Sequence, residues 1–285
     1  MFSRTQWRRF LFAMQTILGF SARGFFIPYR YAASVPATQP AYAELEQVFA
    51  KKRGVFNRFL QSLDQYTDAF QTFDNSTPPT PRWQQAWFPR LDGAAAYGLV
   101  RLRKPKVIIE VGSGHSTRFM AQAIKDGDLD CRQIAIDPFP RAKIKTLPVN
   151  WLPELLSPDH ISMFAGLEAG DIAFFDSSHI LMPGTDVDII LNRILPVLKP
   201  GVLIHIHDIL LPDPYPASWL WRGYNEQNGL GPMIASGAYD LVFASAYVAS
   251  RMQAEVAETK IGQIPLSQGS YETSLWLEKQ PFVVK

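Results

Sequence analysis

One cysteine, Cys131, stands in the whole chain of 285 residues. That scarcity excludes an internal disulfide framework and a cysteine-rich zinc site, and it fits a reducing compartment. Long hydrophobic runs are missing too: no window approaches the roughly 18 uninterrupted apolar residues that span a bilayer. Acids are absent from the first 43 positions, which hold Arg4, Arg8, Arg9, Arg23 and Arg30 ahead of Glu44. The formal net charge of +2 is too small to suggest a nucleic-acid partner.

Apolar residues make up 47% of the chain, with 7 Trp and 19 Phe, the composition of a folded globular protein. The length suits one large α/β domain with an appended piece. Trp7, Phe10, Leu11, Met14, Ile17 and Leu18 recur at helical spacing, with Arg8 and Arg9 off that face. Residues 5–20 therefore read as a basic amphipathic helix. It has three destinations: the protein's own body or a partner, peripheral contact at the inner face of a membrane, or removal as a signal peptide. Gln15 and Thr16 interrupt its apolar core and no small-residue cleavage site follows, which disfavours the third. A cytoplasmic protein is expected.

Residues 41–73 show apolar positions three and four apart, which predicts one or two helices broken near Gly54. The prolines of "DNSTPPTPR", residues 74–82, make a linker. "LDGAAAYGLVRLR" is a further helix. Short β-rich runs then alternate with helix-length segments: "KVIIEV", "QIAID", "ISMF", "DIAFFD", "GVLIHIHD", "LVFASAYV" and "TSLWLEK". This pattern predicts a doubly wound α/β domain with a mainly parallel sheet. The boundary is placed at 82/83, with a helical N-terminal extension and linker over 1–82 and the α/β domain over 83–285.

Ligands of such sheets bind outside the carboxyl ends of the strands. In "VIIEVGSGHSTRF" Glu110 and Val111 end a strand, Gly112 and Gly114 let the backbone turn and approach a ligand, and Ser116 or Thr117 can cap a helix. A dinucleotide fingerprint would place a glycine at Thr117 and a phosphate loop would carry Gly-Lys-Ser/Thr; both are missing. Asp137 ends the next strand about twenty residues on, where a carboxylate accepts from both hydroxyls of a ribose. Phe139 offers an apolar face to the attached base. Glu110 suits a cationic or amino-bearing ligand and would repel a pyrophosphate. Arg118 either holds an acidic group or forms a surface ion pair, and Arg141 has the same two readings.

Glu110-Val-Gly-Ser-Gly, Asp137, "DIAFFDSSH" and "LKPGVLIHIHDI" resemble the ordered motifs of class I S-adenosylmethionine-dependent methyltransferases, over roughly residues 91–250. The nearest likeness is to a bacterial group with "EVGSGHSTRF", "DSSH" and "HxHD" strings. The resemblance implies a Rossmann-like seven-stranded sheet with its last strand antiparallel. It puts Gly112, Ser113 and Gly114 along the methionine part of the cofactor, Asp137 on its ribose and Phe139 beside its adenine. Glu110, His115 and Asp176 complete the expected cofactor side, His115 through hydrogen bonds to loop backbone.

"DSSH" and "HIHD" end two strands and converge at one rim. His179 is the candidate general base because an imidazole titrates near neutrality. Asp208 and His207 are its candidate catalytic partners, while His205 lies deeper, as support. Some metal-dependent O-methyltransferases resembling this group carry an aspartate, a histidine three residues later and an acidic pair on the next strand. Carried over, Asp176, His207 and Asp208 form a candidate site for a divalent metal. The pair His207-Asp208 departs from two carboxylates and favours manganese, iron or zinc over magnesium. Protein-only proton transfer and structural hydrogen bonding remain the alternatives. The expected activity is methyl transfer from S-adenosylmethionine to oxygen of a small-molecule or glycan-like acceptor, recognised by the aromatic, proline-pinned stretch after Asp208. An NAD(P)-dependent oxidoreductase and a non-catalytic binding protein on the same scaffold are the rival readings.

Overall fold

The computed structural model describes residues 3–36, 38–73, 77–140 and 142–281. Arg141 and the linker residues Asp74, Asn75 and Ser76 lie outside that set. The chain divides into two compact units, Met1–Gln39 and Pro40–Lys285.

In the first unit, helix α1 (Arg4–Ile17) starts at Ser3, whose hydroxyl accepts from the Gln6 amide while the Gln6 side chain accepts from the Ser3 amide. This reciprocal capping satisfies two otherwise orphaned donors. The apolar face expected from the sequence is present and exposed: Trp7, Phe10, Leu11, Ile17 and Leu18 are each more than half accessible.

The second unit opens with helices α2 (Ala43–Lys51), α3 (Arg53–Ser62) and α4 (Thr67–Thr72). Their apolar faces bury Leu45, Phe49, Phe56, Leu60 and Phe70 in the same core as the strands. Phe56 and Phe59 meet Phe243 edge-on at 6.1 and 5.0 Å. The expected boundary at 82/83 is thus corrected to 39/40, because residues 43–73 supply core side chains that the sheet needs.

Helix α5 (Arg90–Arg103) leads into β1 (Val107–Val111), α6 (His115–Asp126), β2 (Arg132–Ile136), β3 (Val149–Leu152), α7 (Ile161–Ala165) and β4 (Ile172–Phe175). A helical stretch follows, α8 (Asp186–Ile189) and α9 (Leu195–Val197), then β5 (Leu203–Ile206) and α10 (Glu226–Ala235). The chain closes with β6 (Tyr239–Ala244), α11 (Ser245–Arg251), α12 (Gln253–Ala257) and β7 (Leu275–Lys279). The sheet has seven strands in the order β3-β2-β1-β4-β5-β7-β6. Strands β1 to β5 pair parallel, and β7 runs antiparallel between β5 and β6. This is the Rossmann-like methyltransferase topology that the resemblance implied.

Two expected strands are corrected. "ISMF" is helix α7, because Ser157 and Pro158 start a 3-10 turn that runs straight into it, and proline at a first helical position favours that entry. The missing strand is β3, an edge strand with half-exposed residues and therefore no apolar run to reveal it. "LVFASAYV" is a strand only to Ala244 and continues as α11.

Fully buried Asp92 ties the sheet to α5: its carboxylate accepts from the Thr273 and Ser274 amides at 2.9–3.1 Å. That fixes the start of β7, and with it Thr273 beside the carboxyl end of β5.

Candidate active site

The turn after β1 is shaped by its glycines. Gly112 has φ +75°, and a Cβ there would lie 1.9 Å from the Asp176 carbonyl oxygen, so no other residue fits without moving β4. At Gly114 an added Cβ would meet nothing within 4 Å, which leaves open space over the loop for a ligand.

Glu110 does not face that space. It is fully buried, and its two oxygens accept from the Ser116 and Thr117 hydroxyls in the first turn of α6, the latter at 2.7 Å. Thr117 Oγ1 accepts in turn from the Gly114 amide at 2.8 Å. Burial pushes the Glu110 carboxyl up to about 8, against the hydrogen bonds from Ser116 and Thr117. The expected contact of Glu110 with a cationic ligand is therefore corrected: its carboxyl is a clamp that holds the turn against α6.

Asp137, at the end of β2, faces the turn. Its Oδ2 accepts from the Ser113 amide and hydroxyl at 2.7 and 2.8 Å, and its Oδ1 accepts from the Phe139 amide at 2.8 Å. Each oxygen keeps lone pairs for diol hydroxyls. Phe139 is 86% exposed, with its ring in solvent beside this carboxylate.

The second half of the site is built on His179, which is 3% exposed. Its Nδ1 lies 2.9 Å from Glu226 Oε2, and its Nε2 lies 3.3 Å from Asp176 Oδ1 and 3.4 Å from Asp208 Oδ2. Burial opposes protonation of the ring, but the hydrogen bonds to Asp176 and Glu226 and the charges of Glu226 and Asp208 outweigh it. They raise His179 well above the ordinary imidazole value. Burial likewise works against the charge of Asp176, and the positive charges of His207 and His179 prevail, holding its carboxyl well below the usual range. Asp208 also accepts from the Thr273 hydroxyl at 3.2 Å and faces Arg222 Nη1 at 3.6 Å.

Local sequence marks Glu226 only as part of the stretch after Asp208 expected to recognise the acceptor. At the start of α10 it reads as an ordinary acid in a first helical turn, favoured there by the helix dipole. Only its burial, at 1% exposure, separates it from such a residue. The sequence places it 47 positions from His179; the amides of Asn225 and Glu226 bonding the His179 carbonyl at 3.1 and 3.3 Å bring the two together.

The other two histidines turn elsewhere. His205 stacks on Phe174 at 3.7 Å, hydrogen-bonds Ser274 and is held neutral, chiefly by burial. His207 Nε2 donates to the Trp87 carbonyl at 3.0 Å, and its Nδ1 is buried without a partner. Burial opposes protonation of this ring, but the charges of Asp176, Asp208 and Asp92 prevail and raise it above the ordinary imidazole value.

The candidate metal set Asp176, His207 and Asp208 does not fit a metal in this geometry. Among the described residues no group of three or more His, Cys, Asp or Glu side chains is disposed to hold one. The physical reason is local: His179 Nε2 sits between the two carboxylates where a cation would bind, while His207 Nε2 is engaged by Trp87. With Arg222, protonated His179 already supplies the countercharge.

Aromatic side chains surround the outer side of this cluster. The Tyr224 ring lies 4.5 Å from His179, and Arg222 stacks over Trp219 at 4.1 Å and over Tyr224 at 5.3 Å. Half-buried Tyr215 packs against Trp219 and Tyr224, its buried hydroxyl without a partner. Trp221 is half exposed.

Residues 109–209 match the family model described as a methyltransferase domain. Strand order, the glycine turn and Asp137 agree with that description over the matched residues. Comparison with curated proteins found no match. Among solved structures the chain is similar to an O-methyltransferase from Bacillus cereus in complex with SAH, at 15% identity and TM-score 0.42, over 88% of this chain and 96% of that one. It is also similar to the SAH-bound Podospora anserina methyltransferase PaMTH1, at 14% identity and TM-score 0.39, over 90% and 100% of the two chains. A third is cofactor-bound Rv0187 from MTB, at 13% identity and TM-score 0.44, over 85% and 99%.

Proposed function

We propose that the chain methylates an oxygen of a small-molecule acceptor, with S-adenosylmethionine as donor and His179 as the group that takes the acceptor's proton. The observation that carries this reading is the triple grip on His179: Glu226 at Nδ1, Asp176 and Asp208 at Nε2. The donor supplies a methyl group already activated by its sulfonium. The open space over Gly114 and the Ser113–Asp137 pair fit its amino-acid and ribose parts. Positioning then carries much of the rate.

Glu226 fixes the ring and its tautomer. Asp176 and Asp208 stabilise the imidazolium that forms as the acceptor's O–H proton moves to Nε2, while the C–O bond forms and the C–S bond breaks. The resting imidazolium must first lose its proton, and an incoming acceptor that displaces a carboxylate from Nε2 favours that loss. The aromatic wall of Tyr215, Trp219 and Tyr224 excludes water and presents flat apolar surface to the acceptor.

Calorimetric titration tests the donor: S-adenosylhomocysteine is expected to bind, and Asp137→Ala to weaken it. Tight NAD binding without S-adenosylhomocysteine binding would sink the reading. Screening small-molecule extracts with labelled donor then identifies acceptors, and loss of labelling in His179→Ala supports the proton-accepting role.

For the N-terminal unit we propose peripheral contact with an anionic membrane surface. Five arginines without an acid, beside an exposed apolar face on α1, support it. Among the described residues no helix is long and apolar enough to cross a membrane. Full-length protein is expected to float with phosphatidylserine vesicles and not with phosphatidylcholine vesicles. Equal behaviour of a variant with Arg4, Arg8 and Arg9 changed to Gln would refute it.

A further inference from the structure

Arg222 stands beside the His179 cluster with most of its hydrogen-bond donors unused. It ends the 3-10 turn Ala217–Arg222, which Gly223 closes at φ +70°. Its guanidinium carbon lies 4.1 Å over the Trp219 ring, 5.3 Å over Tyr224 and 5.6 Å over Trp221. An arginine carries several N–H donors in a fixed fork, yet among the described residues this one makes a single hydrogen bond, from Nη1 to the Tyr224 hydroxyl at 3.5 Å. Its Nε is buried without a partner. Asp208 Oδ2 stands 3.6 Å from Nη1, too far for a hydrogen bond, and is shared with His179.

Two other half-buried arginines of the chain are fully engaged. Arg90 donates to both oxygens of Glu272 and to the Gly262 and Ile264 carbonyls, and Arg251 donates to both oxygens of Asp213 and to Glu46. The side chains of Arg222 and Arg251 are 24% and 27% accessible, so exposure does not account for the difference. Nor is the segment leading into the turn loose. The Gln227 side chain accepts from the Leu210 amide and donates to the Asp213 carbonyl, while Arg251 grips the Asp213 carboxylate.

We infer that Arg222 selects the methyl acceptor by receiving a carboxylate carried on the same flat ring as the reacting hydroxyl. The inference rests on the acceptor reading above and names its substrate class, a hydroxyaryl acid. Legs of 3.6 and 3.4 Å through one Asp208 oxygen join Arg222 Nη1 to His179 Nε2, which keeps the two within the span of a single substituted benzene ring. A carboxylate answers the guanidinium fork with two parallel bonds. The acids of the site do not fill that role: Asp176 and Glu226 face His179, and Asp208 is held by His179 and the Thr273 hydroxyl. A cationic acceptor is disfavoured, because the rings of Trp219 and Tyr224 already hold the guanidinium and a second cation there would be repelled.

The test is calorimetric titration of the full chain, in the presence of S-adenosylhomocysteine, with three matched phenols: 3-hydroxybenzoate, the neutral 3-hydroxybenzamide and the cationic 3-hydroxybenzylamine. The carboxylate is expected to bind roughly tenfold more tightly than the amide, the size of a hydrogen bond to a charged group, and the amine most weakly. Arg222→Gln is expected to bring carboxylate and amide within about threefold of each other. Arg222→Lys keeps the charge without the planar fork and is expected to fall between, and it carries the test if Arg222→Gln fails to fold. Wild-type protein that binds none of the three, or binds carboxylate and amide alike, overturns the inference, as does a full preference in either folded variant. Labelled S-adenosylmethionine separates this inference from the reading beneath it. A carboxylate bound with the expected preference but never methylated overturns the His179 reading and leaves Arg222 as the anion-selecting residue, whereas an amide methylated as readily as the carboxylate overturns the inference alone.

Discussion

His179 and Asp208 both hold left-handed backbone conformations, at φ +60° and +55°, and these bring Nε2 of one within 3.4 Å of Oδ2 of the other. Neither is a glycine, and such conformations cost free energy that the surrounding structure must offset. Here the surrounding bonds come from Glu226, Asp176, Thr273 and the amides of Asn225 and Glu226. Two strained residues on neighbouring strand ends, aimed at each other, are the structural core of the proposed proton-transfer site.

The rate of methyl transfer is expected to rise with pH through an inflection above the ordinary imidazole value. The base must be neutral, and the carboxylates raise the pH at which His179 loses its proton. Glu226→Gln removes one of those charges and is expected to move the inflection toward acid. His179→Ala is expected to lower kcat by about 100-fold or more. A pH–kcat profile of Glu226→Gln that coincides with wild type would dissociate Glu226 from the reaction.

Folding stability carries a separate signature of Glu110. Its folded carboxyl is raised from 4.5 to about 8, so protonation favours the native state. That stability is fully present below the unfolded value and is lost as pH rises through about 8. Glu110→Gln stays uncharged and is expected to flatten this loss, gaining on wild type between neutral and alkaline pH. Urea unfolding of both proteins at several pH values measures it; parallel curves would show that Glu110 is already ionised.

Gly112→Ala is expected to be severely destabilising, by about 3 kcal/mol or more. The new Cβ meets backbone, not a side chain that can swing away: the Asp176 carbonyl at 1.9 Å. Gly114→Ala meets nothing within 4 Å. It is expected to unfold like wild type and to weaken S-adenosylhomocysteine, because its methyl group enters the space assigned to the ligand. Paired thermal melts and titrations separate the two effects.

Chelation is expected to leave methyl transfer unchanged, since the gap between Asp176 and Asp208 is filled by the His179 ring. Activity lost in EDTA and restored by a divalent cation would show that acceptor binding rebuilds the cluster around a metal.

Much of this site was legible in the chain. The glycine turn, Asp137 and the ends of β4 and β5 are local strings, and strand-to-helix alternation places them at one edge of a parallel sheet. "ISMF" misled because a four-residue apolar run has no periodicity to separate strand from helix, and β3 escaped because an edge strand needs no apolar run. The boundary at 82/83 failed for a related reason: a proline-rich connection marks a turn in the path, not whether the helices before it pack on the sheet.

The sequence by itself determined the class of fold and the clustering of His179 with Asp176 and Asp208. Tertiary structure decided what those residues are. Glu110 turned inward as a clamp on α6, His207 turned to the Trp87 carbonyl, and Glu226 arrived behind His179 from a helix far along the chain. Charge state and direction depend on burial and on neighbours brought together by packing, and neither is written in the local string of residues.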